Sequence, residues 1–292
     1  MKILVFGADG MVGSRFIELL PKKFHALTPS VKELDITKFQ ELKSYIDKAN
    51  PEAIINFAAI TDVDFCETQR GDKDGLVWRV NALACQNIAK AAGKNIYVVQ
   101  ISTDMVFSGN KKDPGPYKEN HPRSKEAEVA WYGFSKAQGE VYLHTETNKC
   151  AVVRIISPVR AQFEPKLDYL RKILYLYDSG KLYPMFSDQR ISITFIDEFS
   201  KIVTLILNEK LKGTFHVCSR NTTSPYELAN YLLVKARNVR DELVKGSYSD
   251  VVKDKRRYPQ FSGLNTTLTQ QKVAMKFSTW QEIVDKLAPV LQ

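Results

Sequence analysis

Tyr132-Gly133-Phe134-Ser135-Lys136 places a phenol and an ammonium four residues apart, on one face of the segment if it is helical. A nearby cation favours the phenolate and draws a tyrosine pKa down from ~10 towards the working pH. That matching suits a general acid that protonates a carbonyl oxygen. The same Tyr-x-x-x-Lys spacing recurs at Tyr177/Lys181 and Tyr231/Lys235. The former straddles Asp178-Ser179-Gly180, a helix end, and the latter sits mid-helix, where Tyr231 packs in a core. Only Tyr132 follows Ser102-Thr103-Asp104 at the right point in the alternation of strands and helices, that triplet closing the apolar run Ile96-Tyr97-Val98-Val99-Gln100-Ile101. Ligands bind at the carboxyl ends of parallel strands, where a hydroxyl can hold a substrate carbonyl. Thr103, Tyr132 and Lys136 are therefore the expected catalytic residues, with Ser102 in support. A strand-end cap is the alternative role, and Asp104 could do only that.

The second constellation is Gly7-Ala8-Asp9-Gly10-Met11-Val12-Gly13, between a first strand at 3–6 and a helix at 11–20. Gly7 permits a tight turn, Gly10 lets backbone approach a pyrophosphate, and Gly13 lets the helix pack closely on the sheet. Free N–H groups and the helix dipole then hold phosphates. An acidic residue that would bind a ribose 2′-hydroxyl is missing from Leu27-Thr28-Pro29-Ser30-Val31-Lys32. Ser30 or Lys32 could meet a 2′-phosphate instead, which favours NADPH, with NADH the alternative.

These motifs need a scaffold of alternating elements. Strands are expected at 3–6, 25–28, 53–59, 96–102 and 151–156, with helices at 11–20, 37–49 (Thr37 as N-cap), 76–92 and 131–145 between them. Alternation of this kind predicts an α/β fold, a Rossmann-type doubly wound parallel sheet. Beyond Ser157 the pattern loosens, with helices at 168–177 and 197–207, an extended stretch at 191–196 and a strand at 214–217. Ser224, Pro225 and Glu227 form a capping-box pattern, and a last helix spans 279–287. The expected division is a dinucleotide-binding domain of residues 1–156 with 185–218, and a smaller interleaved substrate lobe of 157–184 with 219–292.

Taken together these residues resemble the dTDP-4-dehydrorhamnose reductase family, within the extended short-chain dehydrogenases/reductases. The resemblance runs through the glycine turn, Leu34-Asp35-Ile36-Thr37, Asn56-Phe57-Ala58-Ala59-Ile60-Thr61-Asp62-Val63-Asp64, Asn81-Ala82, residues 102–109 and 132–136, Asp188-Gln189, Thr194, residues 257–264 and Trp280. It implies that NAD(P)H is held by Gly7, Asp9, Gly10, Met11, Val12 and Gly13, by Asp35-Ile36 near the adenine, and along Ala58, Ala59 and Ile60, with Ser102, Tyr132 and Lys136 completing the site. It also implies a nucleotide-sugar substrate against Thr61, Val63, Asp104 and Val106, with Arg256/Arg257 a candidate for the pyrophosphate. Met105 stands where the family usually has an aromatic residue, and Arg154-Ile155-Ile156-Ser157-Pro158 carries no tryptophan. Some members bind magnesium through carboxylates, one early in the first helix; Arg15 occupies that place here, so no metal is expected.

The leading expectation is NAD(P)H-dependent reduction of a nucleotide-linked 4-keto-6-deoxyhexose. Nucleotide-sugar epimerases and dehydratases share the same motifs, and regulatory subunits that bind dinucleotide without turnover form a third class. The chain has 292 residues, 44% hydrophobic and 26% charged, as expected of a globular enzyme. The net charge of +9 is densest at Lys253-Asp254-Lys255-Arg256-Arg257. Without interleaved aromatics that run reads as solvated surface or a diphosphate site rather than a nucleic-acid site. Four cysteines and four histidines are scattered, which favours reduced thiols and no metal centre. No apolar run spans a bilayer and no leader is evident, so a cytoplasmic protein without membrane or nucleic-acid partners is expected, with a homodimer left open.

Overall fold

The computed structural model describes residues 1–162, 166–241 and 243–291. Its strands in chain order are β1 (Lys2–Phe6), β2 (His25–Leu27), β3 (Ala53–Asn56), β4 (Tyr97–Thr103), β5 (Cys150–Ile155), β6 (Pro158–Val159), β7 (Met185–Phe186), β8 (Thr194–Phe195), β9 (Gly213–His216) and β10 (Lys245–Gly246). Six of them form one parallel sheet in the order β2-β1-β3-β4-β5-β9. The chain reverses its direction of winding between β1 and β3, the switch point at which α/β sheets open a crevice for ligands. The remaining strands make two small parallel pairs, β6 with β8 and β7 with β10.

The helices are α1 (Met11–Glu18), α2 (Phe39–Ala49), α3 (Val63–Thr68), α4 (Leu76–Trp78), α5 (Ala84–Ala92), α6 (Trp131–Glu146), α7 (Tyr169–Asp178), α8 (Ile196–Glu209), α9 (Pro225–Arg237), α10 (Tyr248–Val251), α11 (Thr267–Val273) and α12 (Trp280–Leu287). Side chains alternate across a strand, and both faces of this sheet are apolar. Leu4, Ile54, Val98 and Val152 pack against Leu42 and Ile46 of α2, Ile88 of α5 and Leu143 of α6. Ile3, Val5, Ile55, Val99 and Val153 meet Phe16 of α1 and Phe199, Ile202 and Ile206 of α8. A separate core joins α7, α9 and α12 through Leu170, Leu228, Leu232 and Ile283, and reaches Val106, Phe107 and Tyr117 beyond β4.

Three local expectations change. Lys38, not Thr37, occupies the N-cap of α2, with no side-chain cap; Thr37 bonds to Asp35 instead, its N–H and hydroxyl donating over 2.9 and 2.7 Å. The helix expected over 76–92 contains a wider turn of π winding at Arg79–Leu83. Of the stretch 191–196 only Thr194–Phe195 forms a strand, while Ile191 bridges to Thr223. The capping box forms as its spacing suggests, the Glu227 N–H donating to Ser224 and the Ser224 N–H to Glu227.

Gly13 tests the packing of the first turn, because a Cβ there would stand 2.2 Å from the Gly7 carbonyl oxygen, whereas one at Gly10 meets nothing closer than 3.4 Å. Gly13→Ala should lose about 1–3 kcal/mol through overpacking. Gly10→Ala should lose much less, both read from urea denaturation midpoints at constant m-value.

Candidate active site

Gly7 follows β1 directly, and its φ of +69° is open to glycine at little cost. A Cβ there would lie 2.6 Å from the Ala58 nitrogen, so the turn and the strand-end segment after β3 touch backbone to backbone. Gly13 lets α1 close against the Gly7 carbonyl at the end of the first strand. Gly10 is the N-cap of α1 and provides no side-chain cap. Asp9 and Gly10 are exposed, with Met11 and Val12 half-buried behind them. An uncapped, side-chain-free helix start at a sheet crevice suits a phosphate-bearing cofactor.

Hydrogen bonds tie the segment that touches this turn, residues 58–60, to α6. The Ala58 N–H donates to Asn56 Oδ1 (3.1 Å). The Ile60 N–H donates to Asn81 Oδ1, and Asn81 Nδ2 donates back to the Ile60 carbonyl, each over 2.9 Å. Asn81 lies in the π turn and also donates to Ser135 Oγ at 3.1 Å. Ser135 in turn donates to the Tyr132 carbonyl (2.8 Å). Single π turns often redirect one residue at a functional site; here Asn81 clamps both polar groups of one loop residue.

Thr103 ends β4 and Tyr132 lies in the first turn of α6, with the phenol beside the Thr103 hydroxyl, which donates to Asp104 Oδ1 (3.1 Å) and accepts from the Met105 N–H (3.2 Å). Gly133 makes that approach possible, since a Cβ would fall 1.9 Å from the Met105 carbonyl oxygen. Lys136 is buried and its Nζ donates to the Ile101 carbonyl at 2.8 Å. The expected lowering of the tyrosine pKa does not occur in the protein by itself. Burial pushes the phenol well above its ordinary range, with only the Thr103 hydroxyl drawing it down. The lysine ammonium is directed at a carbonyl instead, and burial lowers its own proton affinity against the pull of Cys85 and Glu140. The phenol is thereby kept protonated, as a proton donor must be.

Sequence reasoning passed over the charged group behind this array. Glu140 continues the Tyr132–Lys136 stripe by one more turn and is fully buried. It accepts from Arg154 Nε (2.9 Å) and Nη2 (2.6 Å), from Ser102 Oγ (2.6 Å) and from Arg123 (3.2 Å). Burial opposes its charge, but Arg154, Ser102 and Arg123 outweigh that and hold the carboxyl below its usual range. Arg154 also donates to His216 Nε2 (3.2 Å) and lies 4.9 Å from the Phe107 ring centroid. His216 Nδ1 therefore carries the proton and donates to the Asn265 carbonyl (3.1 Å); burial and the Arg154 charge push this imidazole down to about 3. The i, i+4, i+8 spacing was the available signal for Glu140, whereas Arg154 on β5 has none within the motif.

Several expected ligands are placed differently. Ser102, assigned to the cofactor, commits its hydroxyl to Glu140. Val106, assigned to the sugar, is fully buried in the core shared with α7 and α9, because the tight turn after β4 directs it inward. Asp104 is 5% exposed, accepting from Thr103 at 3.1 Å and from Ser262. Ile36 is a core residue beside α2, leaving half-buried Asp35 as the polar member of that pair; burial opposes its charge, but hydrogen bonds from Thr37 hold its carboxyl below the usual range. Ser30 donates to Glu33 at 2.8 Å, so a carboxylate stands beside the loop where none was expected. Lys32 and Thr61 are exposed, and Ala58, Ala59, Ile60 and Val63 half-buried. Arg257 pairs with Asp64 of α3 at 2.9 Å, and Arg256 with Asp254 at 2.8 Å. Arg15 is bridged to Asp197 through Nε (2.8 Å) and Nη2 (2.7 Å). Among the described residues no group of three or more His, Cys, Asp or Glu side chains could hold a metal, and no helix is long and apolar enough to cross a membrane.

Glu140→Gln would leave the Arg154 cation buried without its counter-charge, and should cost about 3–5 kcal/mol in chemical denaturation at pH 7. For His216 the folded pKa lies below the unfolded value of ~6.5, so its contribution is complete above that value and is lost as pH falls towards the folded one. Between pH 7 and pH 5 the wild type should lose about 2 kcal/mol that His216→Gln does not, read as the difference between their urea midpoints at the two pH values.

Comparison with known proteins agrees with this architecture. Residues 1–292 match the family described as "RmlD substrate binding domain". A dTDP-4-dehydrorhamnose reductase of Aggregatibacter actinomycetemcomitans is 28% identical over 98% of both chains. A probable low-salt glycan biosynthesis reductase, Agl14, of Haloferax volcanii is 26% identical over 77% of each. Among solved structures, a dTDP-4-dehydrorhamnose reductase of Clostridium acetobutylicum superposes with a TM-score of 0.85 at 25% identity over 100% of both chains. One from Bacillus anthracis, in complex with NADP, does so with 0.85 at 24% over 98% of both. The chain belongs to the RmlD substrate binding domain family, with a Rossmann-like sheet, and is homologous to NAD(P)-dependent dTDP-sugar reductases.

Proposed function

We propose that the protein reduces the keto group of a nucleotide-linked 4-keto-6-deoxyhexose, with NADPH as the preferred reductant. The observation that carries this reading is the juxtaposition of Thr103 and a protonated, half-buried Tyr132 at the carboxyl end of β4. A bound nicotinamide dinucleotide supplies the hydride. The glycine turn would hold its pyrophosphate, and the 58–60 segment, clamped by Asn81, would line its path towards Tyr132. Thr103 and Tyr132 would set their hydroxyls beside the carbonyl oxygen as it gains negative charge, and Tyr132 would deliver the proton. Lys136, held by the Ile101 carbonyl, would stabilise the phenolate left behind. Lys32 and Ser30 support a 2′-phosphate, while Glu33 beside Ser30 favours a free ribose diol, so competition between these groups decides NADPH against NADH. Half-exposed Met105 replaces the expected aromatic at the sugar side, which supports a sugar selectivity of this chain's own. Arg257 would engage the substrate diphosphate by exchanging Asp64 for it.

The direct test mixes enzyme, NADPH and dTDP-4-keto-rhamnose and follows the loss of reduced-nicotinamide absorbance. Turnover is expected, and Tyr132→Phe should lower kcat by about 10²–10⁴-fold while cofactor affinity measured by fluorescence titration stays the same. Failure of every keto-sugar nucleotide to oxidise NADPH or NADH, with cofactor bound, would overturn the reading.

A further inference from the structure

The catalytic reading above leaves Asp104 without a task, although it joins two parts of the molecule. One carboxylate oxygen accepts from Thr103 Oγ1 at 3.1 Å and the other from Ser262 Oγ. Asp104 and Ser262 are 5% and 3% exposed. Ser262 belongs to a segment tied by its backbone to the loop after β4: the Phe261 N–H donates to Gly109 (2.8 Å), the Gly115 N–H to Phe261 (2.7 Å) and the Tyr117 N–H to Gly263 (3.0 Å). The groups facing the carboxyl are the hydroxyls of Thr103 and Ser262, the phenols of Tyr132 and Tyr117 and the thiol of Cys218. No cation bonds to it among the described residues.

An ionised carboxylate only accepts hydrogen bonds, while a hydroxyl has a single proton to give. With Asp104 charged, Thr103 must spend its proton on the carboxylate; one lone pair already accepts from the Met105 N–H at 3.2 Å, so only the other is left for the side of Tyr132 and the cleft. A neutral Asp104 supplies a proton of its own to the chain, so Thr103 can accept from it and donate towards the substrate oxygen. We propose that Asp104 is a positioning residue that sets whether Thr103 acts as donor or acceptor in the active site, with Ser262 as its anchor on the C-terminal segment. This rests on the reductase reading for its catalytic consequence. Burial pushes the carboxyl up to about 6, and the Ser262 and Thr103 hydroxyls draw it down, so the exchange falls near the working pH. Because the neutral form is the one that frees Thr103, kcat/KM rises as pH falls through this titration.

The test has a substrate-free arm and a turnover arm. Asp104 is titrated by carboxyl ¹³C NMR, with Asp104→Asn identifying its resonance. Thr103→Val and Ser262→Ala should each move the midpoint to higher pH, because each removes a donor to the charged form. An unmoved midpoint in Thr103→Val overturns the proposal by itself. In turnover, kcat/KM for the keto-sugar nucleotide should be about tenfold to a hundredfold higher below the titration than above it, the range of one hydrogen bond to a charged group. Ser262→Ala should shift that inflection upward with the carboxyl midpoint, and Asp104→Asn should abolish it. An inflection that survives in Asp104→Asn, or stays in place when Ser262→Ala moves the carboxyl, overturns the proposal. Absence of turnover with every keto-sugar nucleotide overturns the reductase reading instead, since the carboxyl titration needs no substrate.

Discussion

The carboxylate of Glu140 fixes the position of α6, and the position of α6 fixes the chemistry. It takes hydrogen bonds from Ser102 at the end of β4, from Arg154 on β5 and from Arg123 in the loop before α6. A charged group this deep is tolerated only when its lone pairs are filled by donors that are themselves held. Such a pair adds little net stability. What it provides is register: Lys136 and Tyr132 lie one and two turns back along the same helix, so each faces the strand end that Ser102 and Thr103 occupy.

Glycines allow α6 to come that close. Gly133 lies against the Met105 carbonyl, and Gly139 against the Asn81 carbonyl and the Cys85 sulfur, leaving no room for a side chain at either place. The second contact explains how the π turn joins the site. The wider turn carries Asn81 to where its amide reaches both the 58–60 segment and Ser135. The 58–60 loop and the helix that carries Tyr132 are thus joined by hydrogen bonds through Asn81, with the glycine turn in close backbone contact with the same loop.

The electrostatics follow from the same closeness. Burial drives Tyr132, Lys136 and Asp104 each towards its neutral form. Glu140 is the exception, because Arg154 supplies its counter-charge. One permanently charged pair thus lies behind the site, and in front of it lie three groups whose charged forms burial disfavours.

The sequence by itself determined the sheet and the glycine turn and singled out Thr103, Tyr132 and Lys136 as candidates, because each depends on local order. Unbroken apolar runs mark strands buried on both faces, three glycines mark a turn, and residues four apart share a helical face. Only the tertiary structure decided what surrounds them. Val106 and Ile36 carry no polar mark that separates a core residue from a ligand, and both are buried in the core. Ser102 could bond to a cofactor or to Glu140, and that choice rests on how α6 packs over β4. Arg154, His216 and Ser262 reach the site from β5, β9 and the C-terminal segment, over separations that no periodicity records. The direction of the Tyr132 pKa was misjudged for the same reason: spacing reports that a lysine is near, whereas burial and the lysine's own carbonyl partner belong to the fold.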